Sequence, residues 1–390
     1  MSRIDDLIAE YCPDGVKHQT LGEIGEFIRG NGIQKRDFQD SGFGCIHYGQ
    51  IYTYYGLFAD HTKSFIDPNL AEKRKKAYKG DLVIATTSEN EEDVCKACAW
   101  LGEEPIAISG DAYIFRHHQN PKYISYCFQS ELFQSQKKKY ITGTKVLRVN
   151  GDAMAKIHVP VPPLPVQEEI VRILDSFSSL EAELEAELEA RRKQYAYYRD
   201  QLIRDCPSVR WIPLSEISEN CDKSRKPIKK EKRIAGKTPY YGASGAVDHV
   251  DGFTHEGDYL LLSEDGANLL ARSMPIAYQI SGRNWINNHA HVLRIENANL
   301  RQLVEMYLNS ISLEPYITKG AQPKLTKQRM ETIVVPVPSE DDLSRIVEML
   351  TKFYALTTSL TDGLPAEIEA RRKQYEYYRD RLLSFDELAV

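Results

Sequence analysis

Twelve residues near the middle of the chain, Glu189-Ala-Arg-Arg-Lys-Gln-Tyr-Ala-Tyr-Tyr-Arg-Asp200, return 180 residues later as Glu369 to Asp380, with Ala196 replaced by Glu376. A repeat at so long a period constrains the architecture more than any local pattern, because both copies have to build the same unit. Shorter echoes extend it. Ile157-His-Val-Pro-Val-Pro162 returns as Ile333-Val-Val-Pro-Val-Pro338, and Ile170-Val-Arg-Ile-Leu174 as Ile346-Val-Glu-Met-Leu350, both at an offset of 176. Leu21-Gly-Glu-Ile24 matches Leu214-Ser-Glu-Ile217 and Tyr48-Gly49 matches Tyr241-Gly242 at 193; Gly80-Asp81 matches Gly257-Asp258 and Gly143 matches Gly320 at 177. Ala112 to Arg116 matches Ala290 to Arg294, and Cys12-Pro13 matches Cys206-Pro207. The order is common to all of them, so the chain is two copies of one unit. Each copy is a variable globular part followed by a nearly invariant helical part.

The helical parts are read from their periodicity. Ile170, Ile173, Phe177, Leu180, Leu184, Leu188, Arg191, Tyr195, Tyr198 and Leu202 follow one another in steps of three and four, the spacing of a coiled-coil seam with one extra-turn irregularity at Leu180–Leu184–Leu188. Ile346, Leu350, Phe353, Thr357, Leu360, Leu364, Ile368, Arg371, Tyr375, Tyr378 and Leu382 keep the same rhythm in the second copy. Pro165 suits a first helical turn and Ser339 an N-cap, whereas Asp362-Gly-Leu-Pro365 is expected to break the second helix and restart it. The globular parts carry short β-type runs, such as Asp81-Leu-Val-Ile-Ala85 and His291-Val-Leu-Arg-Ile295, separated by glycine, asparagine and proline. The expected fold class is α/β in the mixed α+β sense. Loop-rich domains at 1–158 and 207–334 alternate with helical regions at 159–206 and 335–390, and the two helices pair as an antiparallel coiled coil with pseudo-two-fold symmetry.

Composition narrows the function. A net charge of −6 argues against a free-standing nucleic-acid binder unless its basic residues are local or a partner supplies charge. Seven cysteines in 390 residues point to reduced thiols in the cytoplasm rather than a disulfide framework. The acidic start Met1-Ser-Arg-Ile-Asp-Asp6 does not read as a signal peptide, and no apolar run is long enough for a membrane span.

The order of variable domain, helix, variable domain and helix resembles the DNA-specificity (S) subunits of type I restriction–modification systems. So do the entry Val159-Pro-Val-Pro-Pro-Leu-Pro-Val-Gln-Glu-Glu-Ile170 and the repeated helix ends. The second globular part is similar to a common target-recognition domain of that family, in Pro239-Tyr-Tyr-Gly-Ala-Ser-Gly245, Glu264-Asp-Gly-Ala-Asn268, Trp285-Ile-Asn-Asn-His-Ala-His291 and Lys319-Gly-Ala-Gln-Pro-Lys-Leu325. The first is similar to another type, in His47-Tyr-Gly-Gln-Ile-Tyr-Thr53 and Lys79-Gly-Asp-Leu-Val-Ile-Ala-Thr-Thr87. One departure is Leu343-Ser344 in place of the Gln-Glu pair at the second helix entry, which questions the local helix start. The resemblance implies a non-catalytic subunit that reads an asymmetric two-part site in double-stranded DNA, one domain per half-site. It implies two methyltransferase subunits and two restriction–translocase subunits as partners. Adenine methylation and ATP-dependent cleavage are theirs, with S-adenosylmethionine, ATP and magnesium; no cofactor and no metal is expected in this chain.

Charge placement agrees with that expectation. Between Glu219 and Lys237 lie Lys223, Arg225, Lys226, Lys229, Lys230, Lys232, Arg233 and Lys237, against Glu219, Asp222 and Glu231. Lys73-Arg74 and Lys137-Lys138-Lys139 are basic clusters of the first domain. Base reading needs paired donors and acceptors; candidates are Asn31, Gln34, Lys35 and Arg36 in the first domain, and Ser244, Asn268, Asn287, Asn288, His289, Gln322 and Lys324 in the second. Each asparagine has a turn role as its plain alternative. Tyr48 and Tyr241 occupy matching places before glycine and suit stacking, phosphate contact or simple packing. Tyr195, Tyr197, Tyr198, Tyr375, Tyr377 and Tyr378 suit a partner-binding surface or the packing of the helix pair itself. Glu181-Ala-Glu-Leu184 is repeated at once as Glu185-Ala-Glu-Leu188, either a good helix former or a ruler for the unread DNA gap.

Other chemistries find little support. Ala235-Gly-Lys-Thr238 has Glu231 where a phosphate-binding loop needs glycine. Cys95-Lys-Ala-Cys98 lacks a second ligand pair for zinc, and His117-His118 and His289-Ala-His291 are isolated. Two rival readings remain, an autonomous DNA-binding regulator and a coiled-coil scaffold.

Overall fold

The computed structural model describes residues 3–318, 323–359 and 361–388. Contacts divide the chain into two compact units, Met1–Leu184 with Ile368–Val390, and Glu185–Glu367.

In the first unit a five-stranded sheet runs in the order Gly25–Arg29, Ala112–His117, Leu82–Ala85, Lys96–Trp100, Phe58–Ala59. Alternation along a strand sends successive side chains to opposite faces. Leu82 and Ile84 join Ala97, Ala99 and Phe115 in one core, and Val83 and Ala85 join Cys98, Trp100 and Ile114 in another. Burial on both faces is why this strand reads as an unbroken apolar run. It also sends Cys95 and Cys98 into different cores, and burial pushes both thiols up to about 12. The two thiols thus pack in separate cores and do not share one site. A second sheet orders Ser64–Ile66, Phe43–Ile46, Ile106–Ile108 and Lys76–Ala77, and His18–Thr20 pairs with His158–Pro160.

The second unit repeats the plan. Its sheets are Glu219–Asn220, Ala290–Arg294, Tyr259–Ser263, Ala277–Ile280 and, separately, Gly245–Val250, Ala235–Gly242, Arg283–Ile286, His255–Glu256; Arg210–Pro213 pairs with Val334–Val337. Individual backbone hydrogen bonds recur. Leu21 N–H donates to the Ile157 carbonyl and Leu214 N–H to that of Ile333. Thr86 N–H donates to Asp111 and Glu264 N–H to His289, while the Thr86 carbonyl accepts from Val149 and the Glu264 carbonyl from Leu325. One framework thus underlies both globular parts, although few side chains survive from one to the other.

One expected equivalence fails. Ile46 pairs with Ile108 in the first unit, and Tyr241 pairs with Ile286, the counterpart of Ile108, in the second. Tyr241 therefore answers to Ile46, not to Tyr48, which lies beyond the strand and opens the helix Tyr48–Thr53. A shared Tyr-Gly pair does not reveal register; the strand ladder does.

The first long helix spans Leu164–Arg204, with Pro165 in its first turn, where no intrahelical N–H is needed. In the second copy the Ser339 hydroxyl accepts from Asp342 N–H and caps a helix over Glu340–Thr358; the chain restarts as a helix over Leu364–Leu382. Leu360 of the expected seam lies outside the described residues. Within the first unit Phe177 stacks on Tyr378 at 5.5 Å and Glu181 pairs with Arg372. As one index rises the other falls, so these segments run antiparallel. Within the second unit Tyr195 meets Tyr354 at 5.9 Å and Tyr198 meets Phe353 at 5.8 Å, again antiparallel. The departure at the second helix entry leaves the helix start intact. Gln167, fully buried, bonds the Pro162 carbonyl, Gln119 and Asn120 N–H, whereas its counterpart Leu343 packs against Ile203, Leu303 and Leu350. Among the described residues no helix is long and apolar enough to cross a membrane.

Candidate nucleic-acid interface

In the second unit, segments far apart in sequence are tied together by hydrogen bonds. The turn Tyr241–Gly245 is held by Tyr278, whose hydroxyl donates to the Gly242 carbonyl at 2.6 Å and accepts from Gly245 N–H at 3.1 Å. Gly245 has φ +109°, a backbone that favours glycine. Asn287 N–H donates to the Tyr241 carbonyl, Glu264 N–H to His289, Gly266 N–H to Pro323 and Leu325 N–H to Glu264. Ser244, Asn288, His289 and Lys324 are exposed on this cluster. Gln322 lies outside the described residues.

Two of the asparagines serve the framework. Both polar atoms of Asn268 are spent on its own loop: the amide donates to the Met274 carbonyl, and the oxygen accepts from Ser273 and from Met274 N–H. Asn287 is buried, with its oxygen accepting from His289 N–H. His289 in turn holds Asp265 at 2.9 Å.

Beneath the loops sits a charged cluster that motif spacing did not reveal. His291, 1% exposed, lies 2.7 Å from Asp222 through Nδ1 and 2.8 Å from the Leu325 carbonyl through Nε2. Arg225 bridges Asp222 and Glu264 and donates to the Ala290 carbonyl at 2.8 Å; Lys324 reaches Glu264 at 3.0 Å. Desolvation alone would raise the Glu264 carboxyl, but hydrogen bonds from Arg225 and Lys324 overcome it and hold the group below its usual range. Asp222 is lowered in the same way, burial being outweighed by His291 and Val292 N–H. Ligand atoms of Asp222, Glu264 and His291 lie within 4.8 Å of one another. The guanidinium and ammonium groups already supply the cations a metal would bring. In sequence, Asp222 and Arg225 vanish in a basic run, and His291 reads as one position of an alternating strand.

The basic run itself divides. Lys223, Lys226, Lys229, Lys230, Lys232 and Lys237 are exposed. Arg225 is spent on the cluster, and Arg233 pairs with Asp248 at 2.9 Å while lying over the Tyr240 ring at 4.2 Å.

In the first unit a smaller cluster forms. Asn31 is a clamp: its amide donates to the Lys73 carbonyl at 3.1 Å and its oxygen accepts from Lys75 N–H at 2.8 Å. Beside it the Arg74 guanidinium covers Gly32, at φ +59°, so closely that a Cβ there would lie 2.7 Å from Nη1. Asn31 N–H donates to the Ile108 carbonyl, and Tyr48 N–H to the Ser109 hydroxyl. Gln34, Lys35, Arg36 and Lys73 are exposed around this clamp.

Lys137 is corrected by the structure. It is 1% exposed and its ammonium donates to the carbonyls of Glu91, Glu92 and Val94 at 2.7, 3.2 and 3.0 Å. No phosphate can reach it. Lys137→Ala would strand these carbonyls, and a loss of about 2–4 kcal/mol in denaturant unfolding is expected for the first unit. Lys138 and Lys139 are exposed, but Lys138 lines a groove of mixed charge in which five carboxylates, Glu91, Glu92, Glu131, Glu181 and Glu376, outnumber Arg372 and Arg379.

The tyrosines sort by position in each copy. Tyr195 and Tyr375 are half-buried, and burial raises both hydroxyls to about 12; Tyr375 also donates to Gln129 at 3.1 Å. Tyr198 and Tyr378 each pack their ring on a phenylalanine across the helix pair, Phe353 and Phe177. Tyr197 and Tyr377 are 60% and 59% exposed, and each stands edge-on to its neighbouring tyrosine.

Comparison with known proteins agrees with this organisation. The family profile described as type I restriction modification DNA specificity domain matches residues 13–190 and 210–370. The chain is 33% identical over 262 residues to the EcoR124I/EcoR124II specificity subunit of Escherichia coli, covering 61% of this chain and 65% of that one. A specificity-subunit relative in Haemophilus influenzae is 37% identical over 184 residues, 46% of this chain and 47% of the other. The chain therefore spans about half to two thirds of these two relatives. Among solved structures, a chain from a study of complex assembly and conformational transition in the type I R-M system superposes with TM-score 0.62 at 15% identity, over 95% of this chain and 98% of that one. The type I S subunit of M. genitalium gives 0.52 at 15% identity, over 94% and 96%; at these identities the likeness is one of fold. With both repeats matched by the profile and the shared fold in place, the chain belongs to the family of type I restriction–modification DNA specificity subunits.

Proposed function

We propose that this chain reads an asymmetric bipartite sequence in duplex DNA, with the domain at 1–158 on one half-site and the domain at 207–334 on the other. The helical regions at 159–206 and 335–390 then set the unread gap. The observation that carries this reading is one backbone framework used twice with different side chains on its loops: Thr86 and Glu264 make the same backbone bonds, yet differ in chemistry. Duplex DNA offers similar faces about one turn apart, ~34–36 Å, and divergent loops would make the two half-sites different. In the second domain Ser244, Asn288, His289 and Lys324 are the proposed base readers, with the exposed lysines among Lys223–Lys237 on phosphate. In the first, Gln34, Lys35, Arg36, Lys73 and Arg74 fill these roles.

The chain supplies recognition, not chemistry. Two methyltransferase subunits and two restriction–translocase subunits are its proposed partners, bringing S-adenosylmethionine, ATP and magnesium, and the complex acts in the cytoplasm. The exposed pair Tyr197 and Tyr377, set in nearly identical helix ends, supports two copies of one partner. Single-molecule sequencing of modified bases, with and without this gene, is the direct test. Loss of N6-methyladenine from one gapped two-part motif is expected; an unchanged pattern would overturn the reading.

A further inference from the structure

Glu264 is the residue where the segments of the second domain's loop cluster meet. Its N–H donates to His289, its carbonyl accepts from Leu325, and its carboxylate takes Lys324 on one oxygen and Arg225 on the other. Arg225 anchors the start of the basic segment through Asp222, and Lys324 is half exposed in a bridge with Asp265, the residue that holds His289. The first domain supplies an internal control. Thr86 makes the same two backbone bonds, to Asp111 and Val149, with no carboxylate. The backbone node therefore needs no acid, and what the carboxylate of Glu264 adds is the charge that meets Arg225 and Lys324.

We propose that Glu264 is a positioning residue for target reading: its carboxylate fixes the Lys324 ammonium over the half-site and holds the loop that carries it against the basic segment. This rests on the reading of the second domain as a DNA-recognition domain. A lysine ammonium is a point charge on a flexible stem. Its value in choosing guanine, through O6 and N7, depends on where it is held. Released, it still attracts phosphate, so affinity for any duplex persists while discrimination falls.

The test uses the full chain assembled with its methyltransferase subunits. Retention is measured on duplexes carrying the target, or the target with single base changes in either half. Glu264→Gln and Glu264→Thr, the latter taken from the first domain, are compared with wild type and with Lys324→Ala. The expected result is a 10- to 100-fold loss of discrimination confined to one half-site, shared by all three variants, with binding to unrelated duplex unchanged. Discrimination preserved in both halves, or lost equally in both, would overturn the assignment. So would a fall in melting temperature with specificity intact, which marks a purely structural role. A wild-type complex that prefers no duplex would overturn the recognition reading itself and the inference with it.

Discussion

A chain lacking Glu185-Ala-Glu-Leu188 is expected to direct methylation to a motif whose two halves are unchanged and whose unread gap is one base pair shorter. The deletion removes ~6 Å of helix and leaves ~40° of residual rotation. A shift of ~6 Å lies between one and two base-pair rises of ~3.4 Å, and the single step is expected because it changes the twist between the half-sites by only ~35°. The helix itself should survive, because Leu184 and Leu188 are both half-buried seam positions and removing one duplicate leaves the other in its place. Sequencing of modified bases in cells carrying the deletion reads the outcome. The original motif, methylated with its original gap, would remove the ruler role and leave the duplication as helix-forming sequence.

Reversing Lys229, Lys230 and Lys232 to glutamate should have the other large effect. Each phosphate contact contributes about 0.9 to the slope of log affinity against log salt. Three lost contacts should flatten that slope by about 3 and cost at least ~100-fold in affinity near 100 mM salt. Arg233 stays in place, since its guanidinium is tied to Asp248 and Tyr240 and its loss would test folding instead. Anisotropy titrations on target duplex from 50 to 300 mM salt would measure the effect, and an unchanged slope would show that these lysines face solvent only.

The repeat, the helices and their ends are legible in the sequence alone. Nearly identical helix termini, a seam of threes and fours, Ser339 as cap and the break before Pro365 are local signals, and local hydrogen bonding follows them. The β framework was less legible, because strands buried on both faces lose their alternation and the two copies share bonds rather than residues. The Tyr48–Tyr241 match shows the hazard, since a two-residue similarity was overruled by the ladder that sets register.

Basic residues show the same division most sharply. Sequence composition identifies Lys137, Lys138, Arg225, Arg233 and Lys229 alike as positive charge. Their environments separate them into a buried clamp on carbonyls, a neighbour of carboxylates, two internal ion-pair partners and an exposed cation. What the sequence determined by itself is what depends on neighbours along the chain: the tandem repeat, the long helices, their caps and breaks, and the stretches that carry the family likeness. Only the tertiary structure decided which polar groups remain free to meet a ligand. A side chain's availability depends on partners brought from about 40 to 70 residues away, as Arg225 and Lys324 are brought to Glu264 and His291 to Asp222, and desolvation there makes those partners compulsory.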